Sequence, residues 1–242
     1  MSLQARLGNA VKHFWETRTN QRRRQGTVSG QRDYGNRTAV TGGKQLDGFV
    51  LLVTELLVDC GLPNAYVYTQ KRDVVLPGYF RPTKEWDLVV VYRGNLVATV
   101  EFKSQVGSFG NNFNNRVEEA LGNAFDLQTA YREGAFAPST APWVGYLMMM
   151  QETDVSLRPL TVKEPHFSVF GEFRDASYAR RYELFCERLV RERLYNAACF
   201  LMSDEASGLN GQYREPSEEL CFRNFAGSLV GHVAGIVQAA RQ

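Results

Sequence analysis

Asp87, Glu101 and Lys103 are the side chains best placed to do chemistry, and they bracket the stretch WDLVVVYRGNLVATVEFKSQ at residues 86–105. Two runs rich in β-branched residues, 87–92 and 96–103, flank Arg93-Gly94-Asn95. That pattern predicts a β-hairpin. Glu101 and Lys103 are two apart and share a strand face, while Phe102 points to the other. With the turn centred on Gly94, paired residues sum to 188, which sets Asp87 opposite Glu101 on the same face. A slip of one residue would send Asp87 to the opposite face. The predicted register therefore gathers two carboxylates and an ammonium on one patch.

Two neighbouring carboxylates repel unless a hard cation such as Mg²⁺ takes them as oxygen ligands. Such an ion can polarise a phosphodiester and lower the pKa of a bound water. Lys103 would hold or help deprotonate that water and offset the charge growing on phosphorus. Asp followed about one hairpin later by Glu-x-Lys is the pattern of the PD-(D/E)XK nucleases. The alternative for these three residues is a solvated hairpin face with an incidental cross-strand charge pair.

The elements that must position this patch are read from periodicity. Leu3, Leu7, Val11, Phe14 and Trp15 predict an amphipathic helix over 3–18. Residues 20–43 are polar, basic and Gly-rich, which predicts a loop that orders on DNA. The run LDGFVLLVTELLVD predicts an apolar helix over 46–59, stopped by Gly61 and Pro63. Glu55 within it is either exposed beside Asp59 or aimed at the metal, directly or through water. Lys44 follows Gly42-Gly43 and could hold a phosphate at that helix start. A short strand is expected over 65–70, then a Pro/Gly loop that ends on Lys84 at the mouth of the site. Residues 106–115, VGSFGNNFNN, read as a loop with Asn115 capping a helix over 116–134. Asn111, Asn112, Asn114 and Asn115 could pair with adenine there, and Arg116 with guanine. WVGYLMMM at 143–150 predicts a buried strand. Residues 178–202 predict one long helix, 203–216 a polar loop, and 217–240 a last helix capped by Ser217 with Glu218 and Glu219 in its first turn.

The chain has 242 residues, 44% of them hydrophobic, enough for a sizeable core in a single domain spanning 1–242. No apolar run of about 18 residues predicts a membrane span, and residues 1–15 do not form a signal peptide. Cys60, Cys186, Cys199 and Cys221 lack metal-site spacing and read as reduced core residues of a cytosolic protein. His13, His166 and His232 are scattered and read as structural. Net charge is only +2, but residues 1–49 carry nine Lys/Arg against three acids, as a phosphate-binding segment would. For Arg22-Arg23-Arg24 alone, a solvated surface run explains the charge equally well.

Five strings carry a wider resemblance: GGKQLDGF (42–49), LPGYFRPTKEWDLVVV (76–91), EFKSQVGSFGNNFNNRVEEA (101–120), AYREGAF (130–136) and RYELFCERLVRERLY (181–195). Together they resemble the XhoI/PaeR-type type II restriction endonucleases, from about residue 3 to beyond 230. Trp86 stands where the superfamily motif often has Pro. The resemblance implies an α/β fold with a PD-(D/E)XK restriction-endonuclease-like core, a mixed central sheet flanked by helices. It implies a homodimer that cuts double-stranded DNA with Mg²⁺ at the palindrome CTCGAG, leaving 5′ overhangs with 5′-phosphates. It also implies a cognate methyltransferase that protects the host. Asp87, Glu101 and Lys103 match the catalytic positions. The expected metal ligands are Asp87, Glu101, the Phe102 backbone carbonyl and Glu55. The expected DNA contacts are Lys44, Lys84, Gln105, Asn111, Asn112, Asn114, Asn115 and Arg116. Two other readings stay open at the level of sequence: a repair or structure-specific nuclease with the same motif, and a non-cleaving DNA-binding module.

Overall fold

A computed structural model describes residues 1–28 and 44–240. Its main helices are α1 (Leu3–Val28), α2 (Asp47–Asp59), α3 (Phe109–Arg132), α4 (Tyr178–Arg191) and α5 (Phe222–Ala239). Its strands are β1 (Val67–Tyr68), β2 (Val75–Pro77), β3 (Thr83–Glu85), β4 (Leu88–Tyr92), β5 (Asn95–Gln105), β6 (Trp143–Gln151) and β7 (Ala197–Ser203).

A mixed sheet in the order β1-β4-β5-β6-β7 lies at the centre. β1 and β5 run antiparallel to β4, whereas β5, β6 and β7 are mutually parallel neighbours. β2 and β3 form a separate small hairpin that leads directly into β4. Helices cover both faces. On one, α1, α2 and α5 bury Trp15, Phe49, Leu57 and Phe225 against Leu88, Val90, Val100 and Phe102. On the other, α3 and α4 bury Ala124, Leu127, Tyr182 and Phe185 against Val89, Tyr146 and Met148. β6 and β7 are buried on both faces, hence their unbroken apolar runs.

The β4–β5 hairpin keeps the predicted pairing sum by a different route. Arg93 and Gly94 both have positive φ, 50° and 80°, as a two-residue type I′ turn requires. Tyr92↔Asn95 and Val91↔Leu96 therefore sum to 187. A bulge between Val90 and Val91 leaves Val97 as the extra residue, and from Val90↔Ala98 to Leu88↔Val100 the sum is 188. Val97 and Ala98 consequently face the same core.

Several boundaries differ from the sequence expectations. α1 runs on to Val28, through the first part of the expected basic loop; the rest of that loop, 29–43, lies outside the described residues. Arg22 is ion-paired with Glu205. α3 begins at Phe109, so the Asn-rich stretch is its N-terminal turns and Asn115 is not a cap. Phe109 stacks on Tyr178 with centroids 5.9 Å apart and Phe113 meets Tyr182 at 5.0 Å, which ties these turns to α4. The helix expected over 178–202 stops at Arg191, Arg193 turns the chain at φ 56°, and 197–203 is a strand. α5 starts at Phe222 rather than Ser217, with Glu215 accepting the Phe222 N–H at 2.6 Å. The four cysteines are free. No described helix is long and apolar enough to cross a membrane.

Candidate active site

Alternation along β5 sends Val100 and Phe102 into the α1/α2/α5 core and Thr99, Glu101 and Lys103 to the α3/α4 side. Asp87 immediately precedes β4, one step beyond the Leu88↔Val100 pair, and so arrives opposite Glu101. Its Oδ2 accepts the Phe102 N–H at 2.7 Å. Among the described residues its Oδ1 has no hydrogen-bond partner. The N–H and C=O of a strand residue leave on the same edge. The Phe102 carbonyl thus also faces the Asp87 side, past the end of β4.

Glu101 is fully buried, and its neighbours keep it charged. Lys103 Nζ lies 2.8 Å from Oε1 and Lys84 Nζ 3.7 Å from the same oxygen. The Asn123 amide donates to both oxygens, at 2.9 and 3.0 Å, and the Tyr195 hydroxyl sits 3.3 Å from Oε2. Burial alone would raise the carboxyl pKa, but the two ammoniums and these hydrogen bonds outweigh it and hold it below the usual range. Burial likewise depresses Lys103, yet Glu101 and Asp87 reverse this and its pKa is raised. Lys84 is lowered, burial outweighing Glu101. Asp87 keeps solvent access on one side; surrounding protein nevertheless disfavours its charge, and its pKa is raised. Tyr195, pushed up by burial and then by Glu101, remains a proton donor.

Behind Asn123 stands a second layer. Asp126 Oδ1 accepts the backbone N–H groups of Tyr79 and Phe80, both at 2.8 Å, and its Oδ2 accepts Arg81 Nε at 2.8 Å. Arg81 Nη2 donates to Asn123 Oδ1 at 2.6 Å. The β2–β3 loop is thereby clasped to α3. Burial would raise the Asp126 carboxyl, but the backbone donors and Arg81 hold it low. A depressed carboxyl stabilises the fold fully above its unfolded pKa and loses that contribution as pH falls through the folded one. Asp126→Asn is therefore expected to be less stable than wild type by an amount that is constant from pH 7.5 to about 5 and shrinks below about pH 3.9. Urea unfolding across that range measures it; a gap that persists unchanged at pH 3 removes the assignment.

The residues expected from sequence fall into three groups. Asp87, Glu101 and Lys103 are together, and Lys84 joins them more intimately than its position at the end of a loop suggested. Glu55 does not: α2 does pack beneath the hairpin, but on the Phe102 side of the sheet, and Glu55 pairs with Arg6 at 2.8 Å. Gln105 is 2% exposed, with its amide shared between the Gly107 carbonyl and the Tyr182 hydroxyl, so it braces the end of β5. Lys44 is exposed at the turn leading into α2. Asn111, Asn114 and Asn115 are exposed on one face of the first turns of α3, while Asn112 is half-buried. Arg116 is half-buried and paired with Glu119 at 2.8 Å, close enough to Lys103 to oppose its protonation. Sequence reasoning missed Asn123, Asp126 and Tyr195; the available signal was two polar residues three apart within the apolar stripe of a helix.

The donors around Asp87 are all oxygen, the chemistry of a hard cation. Among the described residues no three His, Cys, Asp or Glu gather, so such a cation would rest on two carboxylates and a strand carbonyl. These residues fit a hard divalent cation.

The family model described as restriction endonuclease XhoI matches residues 25–215. The type II restriction enzyme BstVI of Geobacillus stearothermophilus is 54% identical over 209 residues, 84% of this chain and 93% of that enzyme. The type II restriction enzyme XhoI of Xanthomonas vasicola is 44% identical over 193 residues, 77% of this chain and 74% of that enzyme. AbrI of Azospirillum brasilense is 48% identical over 159 residues, 65% and 71% of the two chains. No solved structure matches.

Proposed function

Because this chain belongs to the XhoI family of type II restriction endonucleases, and so is a site-specific deoxyribonuclease, we propose that it hydrolyses double-stranded DNA at the palindrome CTCGAG with Mg²⁺. The cut leaves 5′ overhangs with 5′-phosphates. The enzyme works as a homodimer, each copy reading one half-site and cutting one strand, which suits a two-fold palindrome. A cognate methyltransferase marks the host's own sites.

The observation that carries this reading is the convergence of Asp87, Glu101 and Lys103 on one sheet face, with Asp87 fixed by the Phe102 N–H. Asp87, Glu101 and the Phe102 carbonyl would hold the Mg²⁺, which would supply polarisation of the scissile phosphodiester and a more acidic water. Lys103, raised in pKa and so cationic at working pH, orients the attacking water and offsets charge on the phosphorane. Asn123 and Tyr195 keep Glu101 oriented as Lys103 turns toward the phosphate. The exposed Asn111, Asn114 and Asn115 present amides for base edges, and Lys44 presents its ammonium to the DNA backbone.

Digestion of a sequenced plasmid tests the proposal. Discrete fragments whose ends map to CTCGAG, formed with Mg²⁺ and abolished by EDTA, are the expected result. Smearing or end-trimming would indicate a structure-specific nuclease instead, and intact plasmid a binding module. Discrete fragments at another sequence would retain the chemistry and replace the specificity.

A further inference from the structure

Resting on the nuclease reading above, we propose that Lys84 is a second active-site lysine, one that gives up its contact with Glu101 to hold a phosphate oxygen of bound DNA. Lys84 lies outside the Asp…Glu-x-Lys pattern, yet its Nζ sits 3.7 Å from Glu101 Oε1 with its side chain only 17% exposed. It shares that oxygen with Lys103, 2.8 Å away. One buried carboxylate oxygen thus faces two ammoniums, and Asp87 beside them balances the second charge, so a cation that takes both carboxylates leaves Lys84 without its counter-charge. An incoming divalent cation wants the same oxygen. The Lys84 ammonium is then repelled by the cation and drawn to the phosphate that arrives with it.

The place of Lys84 is built rather than incidental. Its Nζ lies 4.9 Å from the centroid of the buried Trp86 ring and donates to the Glu85 carbonyl, so a long stem is steered into the cleft. β3, which carries it, is held by the Asp126–Arg81 clasp. Asn123 bonds Arg81 with its oxygen and Glu101 with its nitrogen, so one side chain sets both the carboxylate and the hairpin that brings Lys84 to it. Gly78 lets the loop close: a Cβ there would meet Asp126 Oδ2 at 2.5 Å and the Arg81 carbonyl oxygen at 2.7 Å. A lysine that merely neutralised Glu101 would duplicate Lys103 and would not require this scaffold.

The test uses the full-length protein and two variants, Lys84→Met, which keeps the stem, and Lys84→Arg, which keeps the charge. Three readouts separate the roles. Mn²⁺ titrated into DNA-free protein should bind Lys84→Met more tightly than wild type, by about fivefold, because the competing ammonium is gone. Binding of a CTCGAG duplex with Ca²⁺ filling the cation site in place of Mg²⁺ should weaken, with the log–log salt slope reduced by about one. Single-turnover cleavage at saturating Mg²⁺ and DNA should fall about 100-fold in Lys84→Met, with Lys84→Arg recovering most of it. An unchanged salt slope and unchanged Mn²⁺ affinity would overturn the proposal, as would cleavage by Lys84→Met within threefold of wild type. Melting curves coincident with wild type confirm that both variants fold; if Lys84→Met does not fold, the salt slope and cleavage of Lys84→Arg decide, a wild-type result in that variant supporting a purely charge-based phosphate contact and a lost one overturning it. Failure of the wild type to cleave any duplex would instead overturn the nuclease reading itself.

Discussion

Asp87→Asn is expected to lower single-turnover cleavage by about a thousandfold while duplex binding holds. Asn is nearly the same shape and can still accept the Phe102 N–H that Asp87 accepts at 2.7 Å, so the strand end stays where it is. It loses the charge needed to hold a divalent cation. Duplex affinity measured in EDTA should rise slightly, because one negative charge leaves the neighbourhood of the phosphate. Stability should move the same way. Desolvation raises the Asp87 carboxyl pKa, so the fold disfavours the ionised form, a penalty that grows as pH rises through the folded pKa. The Asn variant should therefore melt at or above wild type. Lys103→Ala should match the loss of cleavage but not the gain in binding, since it removes a cation. Cleavage by Asp87→Asn within tenfold of wild type would move the active site elsewhere.

Trp15→Ala should cost about 3–5 kcal/mol, a large part of the 5–15 kcal/mol that holds a typical domain together. Trp15 is fully buried in α1, edge-on to Phe14 at 5.2 Å, and its indole donates to Ser203 Oγ at 3.1 Å on β7. It ties the first helix to the last strand of the sheet. The room for its ring comes from Gly208, where a Cβ would lie 2.0 Å from Trp15 Cδ1. Gly208→Ala should accordingly destabilise by overpacking, less than the cavity left by Trp15→Ala. Urea unfolding of both variants measures this, and a loss below about 1 kcal/mol in Trp15→Ala would show that the site collapses around the gap.

What sequence could reveal depended on how local the signal was. The hairpin was readable from β-branched runs on either side of a Gly turn, but its turn was read one residue too long, and the Asp87–Glu101 pairing holds because the bulge at Val97, which leaves no mark in the sequence pattern, makes up the difference. The strand at 143–151 was readable from its length and its flanks. β7 was not: the run AACFLM is buried on both faces and so shows no alternation, and it follows a helix whose apolar pattern it appears in sequence to extend. The start of α3 was hidden because its Gly/Asn composition argues for a loop, while contacts of Phe109 and Phe113 with α4 overrule that preference. Glu55 was misplaced because periodicity says which face of a helix is apolar but not which face of the sheet receives it. Asn123, Asp126 and Tyr195 come to Glu101 from distant segments, and only folding brings them there.

The bulge at Val97 also bears on how this hairpin tolerates changes in length. The β6 ladder begins at Ala98, just past the bulge. Excising Val97 would leave Val90 opposite Ala98 and Asp87 opposite Glu101, because the pairing on either side already matches without it. At the tip, a Cβ on Gly94 would touch nothing within 4 Å, so what holds glycine there is its φ of 80° and not a lack of room. Loss of Val97 thus leaves the catalytic pairing in register, and its cost falls on the core, where Val97 is 1% exposed and its carbonyl faces His232 Nε2 at 3.2 Å.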